Sequence, residues 1–329
     1  MSAHFPDTAT IRAVMGLATR APSVHNSQPW RWRIGARSLH LYADPSMHLR
    51  NIDPDRRDLI LSCGTSLHHC VVALAAMGWQ AKVHRLPNPA EPNHLAAIEV
   101  SRQAASELDV TLAAAIPRRR TDRRHYSSWP VPAADIGLMG ARAARAGVML
   151  RQVESLPKLQ QIVAEAVLTH ATDHGYLTEL TAWSGRYGSL AGVPARNIPP
   201  SDPTAVIPGR LFAGPVLAQP PDASPEEDNA VVLALGTKAD SELSRLRAGE
   251  ATSLVLLTAT ALGLASCPVT EPLEVADTRA AVQEDVFGGS GYPQMLLRVG
   301  WAPVNAEPLP ATPRRPLEDV VELLDHQPH

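Results

Sequence analysis

Two stretches hold the residue types best suited to chemistry. Ala21 to Trp30, Ala-Pro-Ser-Val-His-Asn-Ser-Gln-Pro-Trp, is a loop pinned by Pro22 and Pro29 that carries Ser23, Asn26 and Gln28 as fixed hydrogen-bonding groups. Arg118 to Arg124, Arg-Arg-Arg-Thr-Asp-Arg-Arg, sets five arginines against Asp122 around one hydroxyl, Thr121. Guanidinium groups at that density suit a phosphate, because each can donate a pair of charge-assisted hydrogen bonds. Taken alone, the arginine run reads more often as a solvated face, with a nucleic-acid patch as a minority reading. The uncharged polar loop shifts the balance to a phosphate-bearing ligand. His68-His69-Cys70 is a poor metal motif, since adjacent helical residues point apart and no second ligand pair has suitable spacing. Cys267 beside Pro268 lacks a neighbouring His or Lys that would favour a thiolate and reads as structural.

These loops need elements to hold them. Asp7 or Thr8 can cap a helix with Ile11, Val14, Leu17 and Ala18 on one stripe, ended by Pro22, which delivers the first loop. Alternation from Trp30 to Ile34 and at Leu39 and Leu41 predicts two strands around Gly35. A long helix after Asp53-Pro54-Asp55 carries Leu59, Cys63, Leu67, Cys70 and Leu74, and strands near 80–86 and 96–100 follow. The arginine run comes after a short helix ending at Ile116. Helices are then expected over 133–146, 156–170 and 176–183, and strands over 148–153, 230–235 and 295–301. A second long helix is expected over 241–265, with a polar-ended helix at the C-terminus. The two long helices end alike, Ala75-Ala76-Met77-Gly78-Trp79 against Thr260-Ala261-Leu262-Gly263-Leu264, which reads as a degenerate internal repeat. Between them, residues 185–228 hold nine prolines and no sustained period, the composition of an ordered lid or a mobile flap.

At 329 residues the chain predicts two domains or two fused halves, with enough length for a large core. A formal net charge of -3 and a 19% charged content give no reason to expect nucleic acid or an anionic membrane as partner. No basic segment followed by an apolar run marks the N-terminus, and the apolar-rich run 253–265 is too short to span a bilayer. Three cysteines at scattered spacing match neither a disulfide framework nor a zinc site, so a reducing, cytoplasmic setting is expected.

The two loops together resemble the FMN-dependent nitroreductase family, whose members carry an Arg-Arg-Ser-x-Arg-like phosphate motif and an Ala-Pro-Ser-x-x-Asn-x-Gln-Pro-Trp loop, in that order. Here the order is inverted. That inversion, with Arg247-Ala248-Gly249-Glu250 and Thr312-Pro313-Arg314-Arg315-Pro316, is similar to the Acg-type tandem nitroreductase-like proteins, in which two such units are fused. The resemblance runs nearly end to end. It implies an α+β pseudo-dimer of two halves, 1–104 and 105–329, each a mostly antiparallel sheet flanked by helices, with the lid-like insert at 185–228 in the second.

The resemblance also implies one FMN per chain, since only one of the two symmetry-related positions has both loops. Arg119, Arg120, Thr121 and Arg123 would hold the phosphate and ribityl chain, with Arg314 or Arg315 reaching in. Pro22, Ser23, Val24, Asn26 and Gln28 would face the flavin from the other half. The Thr270 backbone N–H would meet flavin N5, flanked by Pro268, Val269 and Glu271, and Arg247 would approach the pyrimidine edge of the ring. Trp183, Tyr187 and Phe212, in or beside the proline-rich insert, could cover its face, though single aromatics in a loop more often anchor it to the core. The implied activity is hydride transfer from NAD(P)H to FMN and onward to a nitroaromatic, quinone or similar small-molecule acceptor. The alternatives are an FMN-binding protein without turnover, linked to stress or dormancy, or a regulatory protein that has lost flavin. No Gly-x-Gly-x-x-Gly motif separates NADH from NADPH. The implied assembly is a monomeric pseudo-dimer, with further homodimerisation left open.

Overall fold

The computed structural model describes residues 5–186, 188–202 and 204–324. In the first half, helix α1 (Thr8–Ala18) is capped by Asp7, whose carboxylate accepts from the Thr10 N–H at 2.8 Å. Strands β1 (Trp30–Ile34) and β2 (Ser38–Ala43), helix α2 (Arg57–Ala76), and strands β3 (Trp79–Arg85) and β4 (His94–Arg102) follow. Helix α3 (Glu107–Ala115), opened by a Ser106–Asp109 capping box, leads to the arginine run.

The second half repeats the plan with additions: α4 (Ala133–Arg145), β5 (Met149–Gln152), α5 (Leu156–Thr172), α6 (His174–Ala182), β6 (Ser184–Arg186) and β7 (Val193–Pro194). After these come β8 (Val231–Thr237), α7 (Glu242–Ala261), β9 (Ala265–Val269), α8 (Glu271–Glu274), α9 (Ala276–Phe287) and β10 (Tyr292–Gly300). The chain closes with α10 (Leu317–Val320) and β11 (Val321–Leu323). The expected C-terminal helix is thus a single turn followed by a strand, and β11 pairs parallel with β1 at the edge of the first sheet. The second long helix stops at Ala261, short of the expected 265, because Gly263, at φ +86°, turns the chain into β9.

The first sheet runs β11-β1-β2-β4-β3 and the second β5-β8-β10-β9, with antiparallel pairing throughout except for β11. The order β1-β2-β4-β3 matches β5-β8-β10-β9 strand for strand. Helices α2 and α7 match as well: Arg57 to Glu242, Gly64 to Gly249, Ala76 to Ala261 and Gly78 to Gly263 all advance by the same interval. The two helices cross at Gly64 and Gly249, where a Cβ on either would collide with the carbonyl oxygen of Leu246 or Leu61 on the other. Near the same crossing, His68 Nδ1 lies 2.8 Å from Ser253 Oγ, and these two residues also correspond under that interval. Residues that meet their own counterparts lie on a two-fold axis, so the fold is an intramolecular pseudo-dimer.

The two sheets are covered differently. The first packs one face, including Trp30, Trp32, Leu39, Leu41 and Ile98, against α1 and α2, and β2 alternates buried and half-buried positions. The second is covered on both faces, by α4 and α7 on one side and α5 and α9 on the other, and β8 and β10 are buried along almost their whole length. Among the described residues one helix, α2, is long and apolar enough to cross a membrane, and it is mostly buried inside this fold. Cys63, Cys70 and Cys267 are all unpaired and buried.

Candidate functional site

Helix α2 holds the Ala-Pro-Ser loop in place. Thr65 Oγ1 donates to the Pro22 carbonyl at 2.6 Å, and the Val24 N–H donates to Ser62 Oγ at 3.0 Å. The loop contains three of the five described non-glycine residues with positive φ: His25 (45°), Asn26 (54°) and Gln28 (51°). Such backbone persists only where the surroundings over-determine it. Asn26 Nδ2 donates to the carbonyls of Gly192 and Pro313, and Gln28 Nε2 donates to that of Leu190, while Gln28 Oε1 accepts from the Arg315 N–H. These two side chains therefore clamp the insert and the C-terminal segment onto the loop.

Pro22, Ser23 and Val24 border a cleft with about 1370 Å³ of empty space including its open mouth. Thr121, Arg123, Cys267, Pro268, Val269, Thr270 and Glu271 line it from the second half. Because β9 is an edge strand, the outward backbone groups of this segment are not consumed by a sheet neighbour. The cleft is roofed by the insert, through Ile198 to Asp202, Ala205, Ile207 to Arg210 and Phe212. Burial, the largest cause, pushes the Cys267 thiol above its ordinary pKa despite Arg123 and Arg298 nearby. Trp183 packs away from the cleft with Leu49, Ile52 and Tyr176, and Tyr187 lies outside the described residues.

Beside Thr121 the chain gathers four arginines without a carboxylate. Arg119 is 6% exposed, and its Nε and Nη1 have no partner among the described residues. Arg20 Nε and Arg120 Nε are likewise buried and unpartnered. Arg314 donates to the carbonyls of Thr19, Arg20 and Ala21 and to Asn26 Oδ1. Asp122, the one acid of the run, is engaged by Arg124 through two bonds of 3.0 and 2.9 Å. Among the described residues, none of Arg20, Arg119, Arg120 and Arg314 makes a salt bridge. Burial, reinforced by the neighbouring guanidiniums, pushes Arg119 down to about 10 and Arg314 down to about 9. A largely buried Arg119 among partly buried guanidiniums of the same sign is unfavourable until an anion joins them.

Besides Asn26 and Gln28, which do not line the cleft, the structure places two expected site residues elsewhere. Arg315 turns to Asp44, at 3.4 Å, instead of joining the arginine cluster. Arg247 does not approach the cleft at all. It borders a second hollow with Arg85, Arg145, Gly147 and Glu250. Under the interval that relates α2 to α7, Arg247 corresponds to Ser62, Glu250 to Thr65 and Arg85 to Thr270, so this hollow is the cleft's symmetry mate. Sequence reasoning had put Arg247 on the wrong side of the two-fold axis. Arg85 and Glu250 line the hollow as a bidentate pair at 2.6 and 2.7 Å. Arg20, Ser62 and Thr65 were missed, although Arg20 directly precedes the loop.

No protein-family model matches the chain. It is 67% identical over 322 residues to the Mycobacterium tuberculosis protein named "Putative NAD(P)H nitroreductase Rv3131", a match covering 98% of this chain and 94% of that protein. It is 37% identical over 332 residues to "Putative NAD(P)H nitroreductase acg" of the same organism, covering 97% and 98%. Among solved structures, a putative nitroreductase from Anabaena variabilis aligns over 92% of this chain and 90% of its own, at 10% identity and a TM-score of 0.47. A nitroreductase with bound FMN from Bacteroides fragilis aligns over 60% and 90%, at 15% identity and a TM-score of 0.39.

Proposed function

The chain belongs to the nitroreductase family, in its Acg-type branch, and from that premise we propose that it is an oxidoreductase that binds one FMN in the cleft between its halves. The observation that carries the reading is the group of four arginines without a counter-charge beside Thr121, which suits a dianionic phosphate. Arg20, Arg119, Arg120 and Arg314 would hold that phosphate. Pro22, Ser23 and Val24 would face the ring and ribityl chain from one side, and the edge segment from Pro268 to Glu271 would run along the ring with the Thr270 N–H toward N5. Bound FMN would supply two-electron transfer from NAD(P)H to a nitroaromatic, quinone or similar acceptor. The protein's part is to orient the ring, exclude water and provide a cation near developing negative charge. Arg123 fits the last role in place of Arg247: it lines the cleft and, among the described residues, has no carboxylate partner and donates only to the Asn197 carbonyl at 3.3 Å. The test is denaturation of the purified protein, which should release FMN, and not FAD, near one per chain. A colourless protein that refuses added FMN would remove the reading.

A second reading, flavin binding without turnover, is favoured by how the insert is seated. It is tied at Leu190 and Gly192 to the Ala-Pro-Ser loop, at Asp202 to His125 (3.1 Å), and at Arg210 to Glu274. Seated so, it would narrow the space in which a nicotinamide must stack. Anaerobic mixing with NADH or NADPH separates the two readings: fast flavin bleaching supports the reductase. Bleaching only after 185–228 is replaced by a short Gly/Ser linker supports storage.

A further inference from the structure

One side chain of the insert joins both halves beneath it. Arg210 Nη1 donates to Tyr176 Oη at 2.6 Å and lies 3.1 Å from His25 Nε2. Its Nη2 donates to Thr270 Oγ1 at 3.1 Å and pairs with Glu274. The side chain is 7% exposed. Its partners come from α6, from the Ala-Pro-Ser loop and from the β9–α8 segment, so a single guanidinium registers the position of all three.

The contact with His25 fixes a proton. A guanidinium can only donate, so the imidazole nitrogen it faces must offer a lone pair. A neutral imidazole then carries its single proton on Nδ1. The same contact disfavours imidazolium, and burial, followed by the fields of Arg210, Arg123 and His170, holds the His25 pKa well below its ordinary value. Nδ1 is buried and has no hydrogen-bond partner among the described residues. The ring borders the cleft and stands edge-on to Phe212, with centroids 5.5 Å apart. His25 is also held at φ +45°, a conformation that histidine adopts at a cost. An unpartnered donor on a strained residue beside a cleft is the pattern of a group kept for a ligand.

We propose that Arg210 is a positioning residue for His25, holding the imidazole as its Nδ1–H tautomer so that the cleft offers a hydrogen-bond donor to an oxygen of the electron acceptor. This holds only while the insert is seated, and it rests on the reading of the cleft as a flavin site. The favoured acceptors are those whose reducible centre ends in oxygen, such as a nitro group or a quinone carbonyl. That oxygen gains negative charge as electrons arrive, and an N–H donor strengthens its bond to the oxygen in step. Formation of this hydrogen bond requires no proton transfer from His25.

The test uses flavin-loaded protein labelled with nitrogen-15 at histidine, with His25→Gln identifying the His25 ring signals. The unaltered protein should show one His25 tautomer, with Nε2 unprotonated. Arg210→Met should give a mixture of tautomers and raise KM for a simple benzoquinone about threefold to fivefold, by the inverse of the Nδ1–H fraction that remains, with kcat and flavin content held. Arg210→Lys, which keeps a donor, should recover part of the tautomer bias and part of the KM. A His25 ring that stays wholly Nδ1–H in Arg210→Met overturns the proposal, and so does an unchanged KM beside a changed tautomer. Absence of flavin from the native protein as well would overturn the flavin reading instead, and the tautomer measurement would still judge the Arg210–His25 pair.

Discussion

The two halves share one plan and spend it differently. Between β1 and β2 the first half has a three-residue turn, whereas between β5 and β8 the second half inserts α5, α6, β6, β7 and the whole proline-rich segment. Between α1 and β1 the first half has the Ala-Pro-Ser loop, whereas α4 and β5 are separated by Ala146 to Val148. Each half has therefore lengthened the connection that its partner kept short. The two lengthened connections meet over the same cleft, through Asn26 to Gly192 and Gln28 to Leu190. On the other side of the axis the short α4–β5 turn borders the hollow, whose polar groups are closed off by the Arg85–Glu250 ion pair. One built site and one closed one follow from where the chain was extended, with the central helices unchanged.

The comparison depends on the helix crossing, so the largest effect is expected there. Gly249→Val should destabilise the protein by about 3 kcal/mol or more, because the new side chain meets the backbone of Leu61 and Gly64, which cannot rotate away. Urea unfolding measures it, and a loss under about 1 kcal/mol would mean that the halves do not depend on this contact.

The two sides should next differ in their response to loss of an arginine. Arg119→Ala should weaken FMN binding on the order of a hundredfold, since it removes a buried charged donor, whereas Arg247→Ala should leave binding unchanged within a factor of about two. Fluorescence titration with FMN reads both, and equal losses would place the phosphate elsewhere. In the same series, Arg119→Met should leave the flavin-free protein as stable as before or more so, because the native side chain is buried with two unpartnered nitrogens and guanidinium neighbours.

The closed side can be opened without making a site of it. Arg85→Ala leaves Glu250 largely buried without its bidentate partner and should cost roughly 2 kcal/mol, with the flavin count still near one per chain. A second equivalent of bound FMN would show that the ion pair, and not the missing loop, had kept that side empty.

How much of this was legible follows from the range of each signal. The strands and long helices could be read because hydrophobic period and glycine stops act within a few residues, as at Gly78 and Gly263. The arginine cluster could be read in part, since Arg119 and Arg120 are neighbours and the resemblance names Arg314 beside them, but Arg20 joins them only through the fold. Arg247 was misplaced because a repeat identifies matching positions without saying which of the two sides carries the ligand. The roles of Arg210 and β11 depend on contacts between segments far apart in sequence, and no local pattern announces those. Gln28 and Asn26 were singled out for their chemistry, and their described partners are the insert and the C-terminal segment.

The smallest expected effect is at Thr270, where the built side tests its own division of labour. Its counterpart on the closed side, Arg85, acts through its side chain, whereas Thr270 is expected to act on flavin through its main-chain N–H. The Thr270 hydroxyl has other partners: Oγ1 donates to Glu274 Oε1 at 2.7 Å and accepts from Arg210 at 3.1 Å. Thr270→Ala should therefore cost about 1 kcal/mol, the worth of one hydrogen bond in a network whose Arg210–Glu274 pair survives. The loss should be confined to the seating of the insert, seen as faster hydrogen exchange at the Val216 and Leu217 amides, which donate to the Ile198 carbonyl. Flavin content and the visible spectrum should stay as they were. Thr270→Pro removes the N–H itself and should shift the flavin potential or release the flavin. If Thr270→Ala alone empties the cleft, the hydroxyl and not the backbone is the flavin's partner, and the contrast with Arg85 disappears.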